Sequence, residues 1–445
     1  MSADDETAHA DSETSSNGRA TTLGSRERRR SFRYWQWRIL LSALVGYALF
    51  YFVRKNLSAA APAMYGKLGF TKEQFGLFLT LHGVLYGVSK FVNGVLGDRL
   101  NARWFMPFGL VCCAVLNIAF GFSTSMVALG VLWTLNGWFQ GIGFPPCARL
   151  MTHWFSPREF ATKMAIWNSS HSIGAGLVFI LCALLAPYDW RLCFFVPAGI
   201  VLCGAVCLVF TLRDTPESLG FPPVEGTADH SQDEEQFSGA VMRLVFRNPY
   251  IWLLSIANFF VYAVRYGILD WAPTFLKEAR GIKLADANYI TAAYEAAGLL
   301  GMIYGGWITD RLFGGRAARA SFFYMIGCTV SLLLFWKLPN QTWVSSTILL
   351  CLVGFSIYGP QSLIGTATAK LATKRAAATA IGLNSIFGYA STTLSGWGIG
   401  RIAQQNGWDA GFLVFVVCSA MGVLLFAVCW GAKAHGYAEV EDANA

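Results

Sequence analysis

The sequence predicts an all-helical membrane protein with twelve transmembrane helices in two six-helix halves. Three observations carry this. Of the 445 residues, 55% are hydrophobic and only 13% charged, about half the charge of a soluble protein, and the mean hydropathy is +0.45. Uncharged runs long enough to cross a bilayer recur, at 104–122, 164–188, 192–212 and 411–432, each meeting the roughly 20-residue requirement. Landmarks of the first half return in the second in the same order. Barrel strands would instead give short alternating segments.

The spans read as 36–60, 72–97, 104–123, 125–149, 162–187 and 190–212, then 248–276, 285–309, 318–337, 343–370, 376–402 and 409–433. Residues 1–32 are polar and then basic, and read as a disordered cytoplasmic tail rather than a cleavable leader. The first bundle covers 33–212. The polar stretch 213–247, with Arg213-Asp214-Thr215-Pro216 and Asp233-Glu234-Glu235, reads as a cytoplasmic linker. The second bundle covers 248–433, and 434–445 forms a cytoplasmic tail. Placing both termini in the cytoplasm puts most loop Lys and Arg on that side. The net charge of +8 belongs to those loops and does not imply nucleic acid. The eleven cysteines lie in or beside apolar segments and read as small packing residues.

The organising stretch is Gly46 to Asn56. It carries Tyr51-Phe52-Val53-Arg54 at the far end of an apolar run. An unpaired cation there costs a few kcal/mol, so something must compensate it. Tyr262-Ala263-Val264-Arg265 repeats the pattern in the second half, with each tyrosine on its arginine's helical face. Gly94-x-x-Gly97-Asp98-Arg99 follows the second span and Gly306-x-x-x-Asp310-Arg311 the eighth, 44 and 45 residues after the two arginines. These turns predict a cytoplasmic gate of Asp98, Arg99, Asp310 and Arg311, with Asp98 free to pair with a cation. Two arginines in equivalent places suggest one anion held between them. No Walker motif, nucleophile triad or metal cluster is visible, which argues against a pump or a membrane enzyme and predicts no cofactor.

Two six-helix halves in parallel repeat, with the Gly-x-x-x-Asp-Arg turn, resemble the major facilitator fold. The run Tyr47 to Asn56 is similar to the first helix of the organophosphate:phosphate antiporters, which include glycerol-3-phosphate and hexose-6-phosphate transporters and a related sugar-phosphate sensor. Tyr86-Gly87-Val88-Ser89-Lys90-Phe91, Gly137-Trp138-Phe139-Gln140-Gly141, Trp167-Asn168-Ser169-Ser170-His171, Val264-Arg265-Tyr266-Gly267, Tyr294-Glu295 and Tyr358-Gly359-Pro360-Gln361 agree with it, over about residues 33–430. The resemblance implies that Arg54 and Arg265 bind phosphate and that His171 and Lys90 are the other ionisable pocket residues. It places Tyr47, Tyr51, Tyr86, Trp138, Asn168, Tyr262, Tyr266, Glu295, Tyr358 and Tyr389 in or near the cavity. Tyr51 and Tyr262, beside the arginines, are the expected hydroxyl contacts. The inducible hexose-phosphate transporter carries an acid–base pair in span 11, where Ile381 to Arg401 has none before Arg401.

The implied function is exchange of an organophosphate for inorganic phosphate across the inner membrane by a monomer. The alternatives are a sensor of external hexose phosphate that signals to a histidine kinase, and a carrier of another organic anion.

Overall fold

The computed structural model describes residues 4–224, 245–339, 341–372 and 376–432. The stretch 225–244 of the expected linker and the tail 434–445 lie outside the described residues. So do the side chains of residues 4–26 and of Asp98.

The first half comprises α1 (Asp4–Phe52), α2 (Asn56–Leu68), α3 (Lys72–Arg99), α4 (Ala102–Phe122), α5 (Met126–Gln140), α6 (Phe144–Trp154), α7 (Pro157–Asn168), α8 (Ser170–Leu185) and α9 (Leu192–Thr211). The second comprises α10 (Pro249–Arg280), α11 (Leu284–Phe313), α12 (Ala317–Lys337), α13 (Trp343–Leu371), α14 (Ala377–Thr393) and α15 (Ile399–Val428), with a π-helical turn at Leu394–Gly398. The backbone of α1 is helical from Asp4.

Among the described residues nine helical stretches are long and apolar enough to cross a membrane, by length and composition. The twelve spans read from the sequence differ from these nine at identifiable places. The fourth is divided into α5 and α6 at Gly141–Gly143, ahead of Pro145-Pro146. The eighth, α11, carries Asp286, Glu295, Asp310 and Arg311. The last two run together in the stretch from Thr379 to Gly431, turning at Gly407, whose φ of 80° is one that side chains other than glycine's resist.

Within the first half α4 packs on α9 and α5, α3 on α5, and α1 on α8 and α9. Within the second, α13 packs on α11 and α12, and α10 on α14 and α15. Two lines of contact join the halves: α8 against α11, and α3 against α14, the π turn and α15. The second line is fixed by Thr80, whose hydroxyl donates to the Thr392 carbonyl (2.9 Å) and accepts from Trp397 N–H (2.9 Å). Residues of the π turn thus seat on α3, and π turns of this kind recur at functional sites. A third contact sets α2 against α10.

Candidate functional site

The first helix does not pass intact through the centre. α1 ends at Phe52 and α2 starts at Asn56, so Arg54 stands in a break rather than on a helix. Carbonyls released by a break must be paired, because no water reaches them in lipid. Three amide side chains do this. Gln140 donates to the Phe50 carbonyl (2.9 Å), while Asn136 (2.8 Å) and Asn117 (3.2 Å) donate to that of Val53. Asn56 in turn donates to Asn117 Oδ1 (2.9 Å) and to the Cys193 carbonyl (3.0 Å). All four are buried. Arg265, by contrast, sits within the continuous helix α10, so the two copies of the repeat carry their arginines differently.

Arg54 is 8% exposed and Arg265 2%. The Arg54 guanidinium lies 4.2 Å from the Tyr86 ring centroid and 5.4 Å from that of Tyr51. It has no hydrogen-bond acceptor among the described residues. The Arg265 guanidinium lies 4.5 Å from the Tyr358 ring and 5.2 Å from that of Tyr266. Such aromatic faces stabilise a desolvated cation and occupy no N–H donor, so the forks stay available to a ligand.

His171 links the two sides. Its ring is 6.0 Å from that of Tyr51 and 6.0 Å from that of Tyr358. Its Nδ1 faces Arg265 Nη2 at 3.4 Å and Ser172 Oγ at 3.0 Å. A guanidinium can only donate, so Nδ1 is the acceptor and the proton of the neutral ring lies on Nε2. That Nε2 is buried without a partner, as are Arg265 Nε and Glu295 Oε2. Glu295 accepts from the Tyr358 hydroxyl at 2.6 Å through its other oxygen. Two unsatisfied buried donors beside two guanidinium groups are what an oxyanion would satisfy.

The remaining expected residues fall around this centre. Tyr47 packs on Tyr51 and Trp167, Tyr262 on Tyr266, and Tyr86 on Tyr389. Lys90 donates to the Tyr389 hydroxyl at 3.3 Å and sits over the Phe144 ring. Asn168 meets the sulfur of Met302 across the two halves. Tyr262 touches Tyr266, and the rings over the Arg265 guanidinium are those of Tyr266 and Tyr358. Trp138 is half-buried, and its described contact is a backbone one, its carbonyl accepting from Ser89. Arg99, Asp310 and Arg311 are exposed and form no ion pair among the described residues.

Sequence reasoning missed one pair. Lys55 Nζ and Asp270 Oδ1 are 2.6 Å apart across the two halves, both buried, and Ser58 donates to the same oxygen at 2.7 Å. Opposite charges in two otherwise apolar runs were the available signal. Pairing them leaves Arg54 and Arg265 without a carboxylate of their own apart from Glu295.

A model described as the Major Facilitator Superfamily matches residues 43–396. A probable hexose phosphate transport protein of Chlamydia pneumoniae is 36% identical over 424 residues, covering 91% of this chain and 93% of that one. The chain is a major facilitator protein of the organophosphate:phosphate antiporter family. Other members of that family lie equally near. A glycerol-3-phosphate transporter of Bacillus subtilis (strain 168) is 38% identical, with 88% and 91% coverage. The membrane sensor protein UhpC of Escherichia coli (strain K12) is also 38% identical, with 88% and 92%. Among solved structures, a bacterial homologue of the human lysosomal transporter Spinster, inward-facing and unoccupied, superposes with a TM-score of 0.71 over 88% of this chain and 94% of that one, at 16% identity. That likeness speaks for the major facilitator fold alone.

Proposed function

We propose that this protein carries an organophosphate across the inner membrane in exchange for inorganic phosphate, with Arg54 and Arg265 gripping the phosphoryl group from opposite halves. The observation that carries the reading is the pair of buried guanidinium groups lying against aromatic faces, with Glu295 the one carboxylate left to them among the described residues. A phosphomonoester brings about −1.5 to −2 charges. Two forks offer it bidentate hydrogen bonds, and His171 Nε2–H adds a neutral donor. Relatives named for hexose phosphate, glycerol 3-phosphate and phosphoglycerate support the substrate class.

With the termini in the cytoplasm, as the Lys and Arg distribution argues, the outer ends of the halves are drawn together. Lys72–Glu278 (3.0 Å), Lys277 to the Pro62 carbonyl (2.7 Å) and Asn288 to the Ala59 carbonyl (3.2 Å) lie there, and Lys55–Asp270 joins the halves at the depth of Arg54. This arrangement is an outward-closed state. Phosphate on both arginines would favour a form in which the halves also meet on the inner side, and transport follows from that differential affinity.

The test is exchange in proteoliposomes. Loading with phosphate should accelerate uptake of labelled glycerol 3-phosphate and glucose 6-phosphate. Uptake indifferent to internal phosphate would defeat the exchange. The similarity to a membrane sensor supports a second reading, a receptor for external sugar phosphate signalling through a histidine kinase. Phosphate-site binding of normal strength without turnover, together with co-purification of a kinase, would favour it.

A further inference from the structure

Three arginines converge on the last turn of α9, far from the substrate site. Arg103 Nε donates to the Val209 carbonyl (2.7 Å), Arg38 to the Phe210 carbonyl (3.0 Å), and Arg213 to the Phe210 (3.2 Å) and Leu212 (2.7 Å) carbonyls. They come from the starts of α1's membrane portion and α4 and from the residues just past α9. The bland account is helix capping, since a C-terminus leaves its last carbonyls unpaired and carries about half a negative charge. Three full cations exceed that by a wide margin. The carboxylate that follows Arg213 in the chain, Asp214, is spent on Arg149 and on the backbone N–H of Ala102. Burial first, then the neighbouring guanidinium groups of Arg103 and Arg38, hold the Arg213 pKa below the ordinary arginine value. Among the described residues no carboxylate forms an ion pair with any of the three.

The surroundings say what meets their charge. Trp35 lies under both Arg38 (4.5 Å) and Arg213 (5.5 Å), and Trp104 beside Arg103. Below the arginines, toward the bilayer, Trp104, Phe108 and Phe210 present large exposed apolar surfaces, from 54% to 64%. Charged donors at the water interface above an outward apolar column match a lipid and not a soluble anion. Each guanidinium keeps N–H groups unused by the carbonyls. We propose that Arg38, Arg103 and Arg213 hold the phosphate of an anionic phospholipid in the cytoplasmic leaflet, its acyl chains lying along α4 and α9.

The test is native mass spectrometry of the purified full chain in detergent, titrated with phosphatidylglycerol or phosphatidylcholine. Anionic-leaflet attraction is worth about fivefold in affinity per arginine. Replacing all three with glutamine should weaken phosphatidylglycerol retention about a hundredfold and leave phosphatidylcholine unchanged. Removing equal charge from the tail, as Arg29→Gln, Arg30→Gln and Arg33→Gln together, should change it little. Inorganic phosphate at the same concentration should not displace the lipid. Equal loss in the tail variant, displacement by phosphate, or undiminished retention in the glutamine variant would overturn the site. Should the triple variant fail to fold, Arg213→Gln against Arg33→Gln decides the matter: the first should lose about fivefold and the second nothing, and equal retention sinks the proposal.

Discussion

In the proposed phosphate site, Arg54 and Arg265 do something lysines at the same places could not. A lysine keeps one charge but loses the planar fork, and hydrogen bonds to charged groups are worth about 1.5–3 kcal/mol each. Arg54→Lys and Arg265→Lys should each weaken phosphate binding roughly 10- to 100-fold while leaving the protein inserted, as measured by phosphate competition against labelled glycerol 3-phosphate. Normal transport by either variant would make the pair structural. The histidine is tested differently. If His171 donates from Nε2, His171→Gln retains a donor and an acceptor and should lose less affinity than His171→Phe, by about 1 kcal/mol. Equal losses would show that the ring serves only to space Tyr51 from Tyr358. Most of these side chains were legible in the sequence, because an arginine deep in an apolar run is costly and announces itself. Lys55 was not, because it follows Arg54 directly and its partner is 215 residues away. The contact of Tyr358 with Glu295 was equally hidden, since only the packing of α13 on α11 brings them together.

At the scale of the element, the break between α1 and α2 was read as an unbroken span. Hydropathy reports how apolar a segment is, and Val53 and Phe52 are apolar whether or not they are helical. The amides that hold the break come from α4 and α5, in runs where a single Asn or Gln hardly alters the average. Gln140→Leu should leave the Phe50 carbonyl without its amide donor at about 1–3 kcal/mol, and Asn136→Leu, after which Asn117 still donates to Val53, should cost less, both seen as a lowered midpoint of thermal unfolding in detergent. They should also lower phosphate affinity, although neither touches the arginines. Loss of stability with unchanged affinity would mean the break does not set the Arg54 position. The existence of the other helices was plain from the sequence. The division at Gly141–Gly143 announced itself only as Gly and Pro density, which fits packing as well as bending.

For the whole molecule, the outer closure proposed above is supported from below by a buried ion pair between halves. Removing one partner of such a pair costs about 3–5 kcal/mol by leaving a lone charge. Asp270→Asn should therefore destabilise the outward-closed form more than the double variant Lys55→Met with Asp270→Leu does. The readout is labelling, from the outer face, of a cysteine placed at Ala59 in a cysteine-free background. Faster labelling in Asp270→Asn, partly reversed in the double variant, is expected. Identical rates in all three would place the closure on Lys72–Glu278 and the carbonyl contacts instead. The two-half layout was readable because Arg54 and Arg265 stand at nearly equal distances, 44 and 45 residues, from their Asp-Arg turns. The side on which the halves meet was not, since both states of a carrier share one sequence.

Arg54 and Lys55 are consecutive, yet one lies against Tyr51 and Tyr86 and the other pairs with Asp270 of the opposing half. Successive residues of a helix point about 100° apart, and the break lets these two face different partners at one depth. A single-residue insertion or deletion between Val53 and Asn56 would turn both away together, with every amino-acid type preserved. This segment should consequently tolerate conservative substitution at Phe52 or Val53 far better than any change in length. Among naturally varying or randomly mutated copies of the gene, functional survivors should be rich in the former and devoid of the latter.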